Sequence, residues 1–172
     1  MGLNMSNRAT ILAILDKLQI EYTYFEHTHA DTMEDCAIID RQYGIDAVHC
    51  KNLFLANRQG TSHYLLLTQG DKPFRTADVS RQMCVSRLSF GKEDKLWEYL
   101  GTTPGAVTPL GLIFDKEREV TLVMDRDLLN ADSIIFHPCE NTSSVIMKRN
   151  DFMDKFLKHA GHIPIFVTVA NG

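Results

Sequence analysis

The sequence has 172 residues, of which 44% are hydrophobic and 23% charged, and both values are close to the averages of globular domains. The formal net charge of −4 argues against a protein that binds nucleic acid through general phosphate neutralisation, so any RNA contact must come from a small basic patch. No run of eighteen apolar residues is present, and residues 1–8 lack the pattern of a secretory signal. We therefore expect a cytoplasmic protein with no membrane partner.

The cysteines and histidines do not have the spacing of a metal site. His27 and His29 lack a third ligand at a recognisable distance along the chain, and His159 and His162 flank Gly161, which predicts a solvated helix end. The four cysteines form no C-x-x-C pair, so we expect reduced thiols, no metal and no cofactor. These cysteines are Cys36, Cys50, Cys84 and Cys139.

The first part of the chain alternates between helical and strand patterns. Residues 9–19 place apolar side chains at helical spacing after a cap at Ser6 or Asn7, and residues 20–26 alternate as in a strand. Thr32 precedes two acids and an apolar run, which predicts a capped helix. A hairpin of two strands is predicted at residues 53–56 and 63–68. It is followed by a predicted helix at 77–83, a short strand at 87–90 and another helix at 92–100.

Further strands are predicted in the second part of the chain. Residues 112–114 and 120–124 are predicted to form a strand pair around the polar turn at 115–118. Two strands, a helix and a closing strand are predicted at residues 134–136, 144–148, 151–159 and 165–169. Because the helices and short strands lack a regular β-α-β period, we predict one α/β domain over residues 1–172, with a mixed, largely antiparallel sheet flanked by helices.

Lys51 and Asn52 stand at the start of a very apolar strand. A partly desolvated Lys51 ammonium could attract a phosphate or polarise a carbonyl. The alternative is that both side chains are only the solvated end of the strand.

Residues 101–111 contain three glycines and two prolines. Such a segment has an irregular but stiff backbone, whose N–H groups can approach an oxyanion, a carboxylate or a phosphate. The alternative is an ordinary surface loop between a helix and a strand.

His137 follows an apolar strand and precedes a proline. It could orient a substrate hydroxyl or exchange a proton, or it could be a structural histidine with satisfied hydrogen bonds. No Ser-His-Asp order, nucleophile elbow, Walker loop or HExxH motif is present, so a covalent serine is not expected. Cys139 is a poor candidate for a nucleophile because Glu140 adjoins it.

Together these segments resemble the prolyl-tRNA editing family, which is related to the insertion domain of bacterial prolyl-tRNA synthetases and to the YbaK-type deacylases. The resemblance extends from about Ile11 to His162. The segments that carry it are Glu26-His27, Thr32-Met33-Glu34, Lys51-Asn52-Leu53-Phe54-Leu55, Arg87-Leu88-Ser89-Phe90, residues 100–112, Phe136-His137-Pro138 and Asn141-Thr142.

The resemblance implies a hydrolase that cleaves the ester between a wrong amino acid, usually alanine, and the tRNA for proline. It implies catalytic roles for Lys51, Gly105 and His137. The residues implied in substrate binding are Asn52, Ala106, Val107, Thr108, Pro109, His27, Thr32 and Met33. The segment His27-Thr28-His29 departs from related sequences, which often have proline after the first histidine, so the amino acid specificity stays open.

Because an aminoacyl ester is already activated, our hypothesis uses positioning and electrostatics without a covalent intermediate. Lys51, supported by Asn52, would hold the 3′-terminal phosphate or ribose, and the N–H groups of residues 105–108 would stabilise the oxyanion. His137 would orient the terminal ribose. The expected partners are the acceptor end of tRNA for proline and a prolyl-tRNA synthetase. The candidate phosphate contacts are Lys72, Arg75, Arg81, Arg87 and Lys92.

Three alternatives remain from the sequence. The same reaction could act on cysteinyl- or seryl-tRNA, because the sequence does not define the volume or polarity of the pocket. The chain could instead be a non-catalytic module that binds tRNA or a synthetase, or a sensor of free amino acids.

Overall fold

The structure of the chain, a computed structural model, describes residues 5–28 and 32–171. His29, which the sequence places in the segment that departs from related sequences, lies outside these ranges. The strands are β1 (Tyr22–Glu26), β2 (Val48–Ala56), β3 (His63–Gln69), β4 (Ser89–Phe90), β5 (Val120–Asp125), β6 (Ser133–Phe136), β7 (Ser143–Lys148) and β8 (Ile165–Val167).

The helices are α1 (Asn7–Lys17), α2 (Met33–Tyr43), α3 (Thr76–Gln82), α4 (Glu93–Leu100), α5 (Arg149–Asp151) and α6 (Leu157–Ala160). Helix α1 precedes β1, and the other helices lie between strands. A π-helical turn, Phe152–Phe156, joins α5 to α6, and two 3₁₀ segments cover Pro109–Phe114 and Arg126–Asn130. In the part of the chain that the structure describes, no helix has the length and apolar character needed to span a bilayer.

The strands form one mixed sheet in the order β1-β7-β6-β2-β3-β5-β8, with β4 paired to β2 outside this order. The pairs β1–β7, β6–β7, β2–β3 and β2–β4 are antiparallel. The pairs β2–β6, β3–β5 and β5–β8 are parallel. The predicted α/β fold with a mixed, largely antiparallel sheet flanked by helices is confirmed.

The alternation of strand residues divides the core into two layers, because successive side chains point to opposite faces of a sheet. On one face Leu65 and Leu67 pack in the main cluster with Leu15 of α1 and Leu100 of α4. On the other face a smaller cluster lies against α3 and contains Leu55, Leu66, Val79, Leu88 and Val123. Even-numbered and odd-numbered residues of β2 therefore face different layers of the core.

The prediction of a strand at residues 112–114 is wrong. Pro109–Phe114 is a 3₁₀ helix, capped by the Thr108 hydroxyl, which accepts the N–H of Leu110 at 3.2 Å. Proline suits the first turn of a helix because it has a fixed φ and no N–H to leave unpaired. Gly111 lies so close to the Leu100 carbonyl that a side chain would collide with it. Strand β5 consequently pairs with β3 and β8 instead.

The predicted solvated helix end is correct for Gly161 but wrong for His162. Gly161 ends α6 with a φ of +77°. The imidazole of His162 is buried, with its Nε2 3.0 Å from Asp115 Oδ2. Burial alone would raise the pKa of Asp115, but His162 and two main-chain N–H groups lower it below its usual value. The sequence does not show this pair because its members are 47 residues apart.

Candidate active site

Strand β2 changes its neighbour along one edge of the sheet. It pairs with β6 at Val48 and His49 and with β4 at Leu55 and Ala56. Among the described residues, no strand pairs with residues 50–54 on that edge. Lys51 and Asn52 lie in this interval, so the sheet is open at the place where the sequence predicts functional residues.

The side chains of Lys51 and Asn52 leave β2 on opposite faces, because they are consecutive strand residues. Lys51 shares its face with Leu55 of the smaller cluster, and its Nζ donates to the carbonyl of Lys72 at 2.7 Å. Asn52 shares its face with Phe54 of the main cluster, and its Nδ2 lies 3.5 Å from the Cys50 carbonyl. Because the two side chains lie on opposite faces of β2, Asn52 does not support Lys51 by direct contact.

Lys72 was predicted to contact phosphate, and the structure contradicts this role. Its side chain is 1% exposed, and its Nζ lies 2.6 Å from both Asp125 Oδ2 and Asp127 Oδ2. It also donates to the Val169 carbonyl at 2.9 Å. Burial alone would lower the pKa of Lys72, but the two carboxylates raise it above its usual value. The other candidate phosphate contacts are exposed: Arg75, Arg81, Arg87 and Lys92.

His137 is partly buried in the loop after β6. Its Nδ1 lies 3.0 Å from the carbonyl of Ser143, and a carbonyl only accepts, so Nδ1 carries the proton. Burial lowers the pKa of His137, and the nearby His27 and His49 lower it further. The imidazole is therefore neutral at neutral pH, and its Nε2 offers a lone pair.

Two more histidines accompany His137 on this side of the sheet. His27 Nε2 lies 2.7 Å from Ser144 Oγ, and the His27 and His137 ring centroids are 6.2 Å apart. His49 Nε2 lies 2.7 Å from Asp40 Oδ2, which ties β2 to α2. Sequence reasoning missed His49, although its position two residues before Lys51 places it on the same face of β2.

Helix α2 begins just after the cap residue predicted from the sequence, Thr32. The Thr32 hydroxyl accepts the N–H of Asp35 at 3.0 Å, and the Thr32 N–H donates to Asp35 Oδ2 at 3.1 Å. This reciprocal capping box confirms the predicted cap. Met33 is the first residue of α2, and its side chain lies outside the described part of the chain.

The loop after α4 provides main-chain donors, but not all of those predicted. Gly105 has a φ of +89°, which is strained for any other residue. The N–H of Ala106 donates to Thr103 O at 3.1 Å, so this group cannot serve an oxyanion. Within the described residues, the N–H groups of Gly105, Val107 and Thr108 have no hydrogen-bond acceptor. These three groups remain as candidate donors.

The side chains of Ala106, Thr108 and Pro109 are buried, so they shape this loop and do not line an open surface. The Thr102 hydroxyl donates to the Ala106 carbonyl at 2.7 Å and closes the turn. Val107 and Gly105, by contrast, line a cavity of about 310 Å³ together with Asn52. The glycine loop and the open edge of β2 therefore face the same space.

Cys139 brings the His137 loop beside the end of α4. Its Sγ lies 3.7 Å from the Leu100 carbonyl, next to the start of the glycine loop. Burial raises the pKa of Cys139 to about 12, so its thiol stays protonated. This agrees with the sequence argument against Cys139 as a nucleophile. In the described ranges, no group of three or more histidine, cysteine or acidic side chains is arranged to hold a metal ion.

The chain is similar to several known editing proteins. A profile of the aminoacyl-tRNA editing domain matches residues 27–155. The prolyl-tRNA editing protein ProX of Acetoanaerobium sticklandii is 33% identical over 160 residues, which cover 93% of this chain and 96% of ProX. The prolyl-tRNA synthetase associated domain-containing protein 1 of Danio rerio is 31% identical over 163 residues, which cover 94% of this chain and 86% of that protein.

A solved structure described as a candidate trans-editing enzyme for prolyl-tRNA synthetase shares the fold. Its TM-score is 0.71 over 99% of this chain and 100% of its own, at 14% identity. The match to the editing domain covers most of the chain and includes Lys51, Gly105 and His137. The chain therefore belongs to the aminoacyl-tRNA editing domain family.

Proposed function

We propose that this protein is a trans-editing hydrolase that cleaves the ester of mischarged tRNA for proline, with alanyl-tRNA as its preferred substrate. The observation that carries the proposal is the match of residues 27–155 to the editing domain. The prolyl-tRNA editing protein ProX, at 33% identity, supports the assignment to tRNA for proline. We further propose that residues 1–172 act in the cytoplasm as one editing domain.

Lys51 has the chemistry to hold the 3′ end of the tRNA. An ammonium has three donors, and Lys51 uses one of them on the Lys72 carbonyl. The two remaining donors can bind a phosphate or ribose oxygen while the hydrogen bond to the Lys72 carbonyl is kept. Because Lys51 is only partly buried, its charge remains accessible to an anion.

His137 is suited to a hydroxyl group or a water molecule. Its Nδ1–H is directed at Ser143 O, so its Nε2 can accept a hydrogen bond from the terminal ribose or from the attacking water. The neutral state is maintained because burial lowers its pKa. The free N–H groups of Gly105, Val107 and Thr108 would stabilise the oxyanion that forms when water adds to the ester carbonyl.

The preference for alanine follows from the limits of the synthetase. A site built for proline rejects the smaller alanine only by about 1–3 kcal/mol. A second site that admits alanine and excludes the proline ring supplies the missing discrimination. Such an enzyme needs only the acceptor end of its substrate, which agrees with the formal net charge of −4.

Deacylation of alanyl- and prolyl-tRNA, both on tRNA for proline, tests this proposal. The wild type, Lys51→Ala and Lys116→Ala would be compared, because Lys116 is an exposed lysine in a distant turn. We expect rapid loss of alanine alone, with a decrease of about tenfold or more in Lys51→Ala and none in Lys116→Ala. A full rate in Lys51→Ala would contradict the role of Lys51.

The same experiment separates the alternatives. Hydrolysis of cysteinyl- or seryl-tRNA without hydrolysis of alanyl-tRNA would identify another substrate for the same reaction. Inertness toward all four would favour a binding module. The name of the Danio rerio relative, a prolyl-tRNA synthetase associated domain-containing protein, supports a test of synthetase binding in that case.

A further inference from the structure

The cavity beside the glycine loop has features that the hydrolytic roles above do not use. Its volume is about 310 Å³, and it is lined by Asn52, Phe54, Phe90, Gly105 and Val107 among others. One wall is therefore the loop that carries the proposed oxyanion donors. A group of substrate bound in this cavity would lie next to the reacting ester.

Phe90 is a large aromatic side chain that the core does not use. It is 69% exposed, although it lies on β4 and its main chain pairs with Leu55. The strand behind it is held closely, since the Gly91 N–H donates to Phe54 O and a Cβ on Gly91 would lie 2.7 Å from the Phe54 ring. An exposed ring on a rigid support is typical of surfaces on which bases of single-stranded nucleic acid stack.

Asn52 adds a hydrogen-bond acceptor that meets no donor in the part of the chain that the structure describes. Among the buried side-chain oxygen and nitrogen atoms of the described residues, only Asn52 Oδ1 has no hydrogen-bond partner. The amide is held by one long contact, 3.5 Å from Nδ2 to the Cys50 carbonyl. Because rotation about the terminal bond of asparagine is soft, the amide can turn its oxygen toward a donor in the cavity. A ligand N–H would remove the cost of this unpaired acceptor.

An adjoining cavity of about 270 Å³ shares Phe90 and carries an excess of positive charge. Arg58, Lys92 and Lys95 line it with one acid, Asp94. Of these three cations, Lys95 is paired with Glu98, whereas Arg58 and Lys92 have no ion pair with any described residue. Phe90 thus lies between the Asn52 cavity, whose lining is mostly uncharged and includes one acid, Glu93, and a basic cavity.

We propose that the cavity at Asn52 is a subsite for an amino-bearing base, adenine or cytosine, of the single-stranded 3′ end of tRNA. Phe90 stacks on the base, and Asn52 Oδ1 accepts a hydrogen bond from its exocyclic amino group. Arg58 and Lys92 contact the neighbouring phosphates. All tRNAs end in C-C-A, so every base of this segment carries such an amino group. The inference rests on the proposed function, because it names a part of the same substrate.

The stacking role is tested by steady-state deacylation with Phe90→Ala and Phe90→Trp. We expect Phe90→Ala to raise KM about tenfold with little change in kcat, and Phe90→Trp to restore the wild-type value, since stacking needs only an aromatic face. The matched control is Trp97→Ala, since Trp97 is 59% exposed on α4 and lies outside the residues that line either cavity. A KM in Phe90→Ala equal to that of the control would overturn the proposal.

The amino-group contact is tested by direct binding, which does not depend on turnover. A short RNA ending in C-C-A is compared with RNAs in which inosine replaces the terminal adenosine or uridine replaces each cytidine. The wild type should bind the unmodified RNA several-fold more tightly than at least one of these, and Asn52→Ala should lose that preference. Equal binding of all RNAs by the wild type would exclude the contact. If the wild type shows the preference but hydrolyses no mischarged tRNA, the subsite stands and the proposed function fails.

Discussion

Lys51 donates a hydrogen bond from its ammonium to the main-chain carbonyl of Lys72, at 2.7 Å. Lys72 in turn directs its own buried ammonium at Asp125, Asp127 and the Val169 carbonyl. The flexible side chain of the candidate functional lysine is thus tethered to a backbone position that a buried ion network holds in place. The buried Lys72 side chain thus anchors the segment whose carbonyl Lys51 contacts, and its ammonium is not exposed to RNA.

The first prediction concerns this network. Lys72→Met should lower the free energy of unfolding by about 3–5 kcal/mol, because it leaves the fully buried Asp125 without its cation. Asp127→Asn should cost only about 1 kcal/mol, because the Asp127 side chain is 46% exposed. Urea unfolding of the two variants and the wild type measures the difference. Equal losses in both variants would contradict the assignment of the main contribution to the Lys72–Asp125 pair.

A second prediction separates backbone strain from function in the glycine loop. Gly105→Ala and Gly60→Ala both force alanine into a positive φ, +89° and +68°, at a cost of about 1–3 kcal/mol each. Gly60 lies in the β2–β3 hairpin, where an added Cβ meets nothing within 4 Å. We expect deacylation to fall about 100-fold in Gly105→Ala, because the oxyanion donors move, and to stay unchanged in Gly60→Ala. Comparable activity in the two variants would remove the loop from the mechanism.

A third prediction concerns the dependence of kcat/KM on pH. The pKa of His137 lies below its ordinary value of 6.5, mainly through burial. Activity should therefore be flat near neutral pH and fall only as the pH drops below 6.5, where protonation removes the Nε2 lone pair. The acid limb should disappear in His137→Asn, with a lower rate, and persist in His159→Ala, where an exposed histidine is removed.

Circular dichroism across the same pH range serves as the control for this profile. The folded state favours neutral His137, because folding lowers the pKa of this residue. The stability of the protein therefore also declines as the pH falls below the pKa that His137 has in the unfolded chain. For the acid limb to report on His137, activity must be lost at a higher pH than the folded structure. An acid limb with its midpoint above 6.5 would show that another group controls the rate.

The fourth prediction concerns the cysteines. Burial raises the pKa values of Cys139 and Cys50 to about 12, whereas Cys84 is exposed. Iodoacetamide at about pH 8 should therefore modify Cys84 first and leave Cys139 and Cys50 unmodified in the folded protein, as mass spectrometry of tryptic peptides would measure. Cys139→Ala should retain its deacylation rate. A folded Cys139→Ala variant without activity would reinstate Cys139 as a reacting group.

Features whose partners lie within one helical turn were predictable from the sequence. The Ser6 cap of α1, the Thr32–Asp35 capping box and the positive φ of Gly161 all follow from interactions over two or three residues. The spacing of apolar residues also predicted most strands and the α/β class. The motifs around Lys51, Gly105 and His137 indicate the family from the sequence alone, and the domain match confirms that membership.

Contacts between distant segments could be decided only by the tertiary structure. Lys72 and Asp125 are 53 residues apart, and nothing near either one reveals that the lysine is buried. Strand parity predicts that Lys51 and Asn52 point in opposite directions, but only the order of strands and helices determines what each side chain meets. The physical reason is that local backbone geometry is encoded within a few residues, whereas burial and charge pairing depend on long-range packing of the sheet.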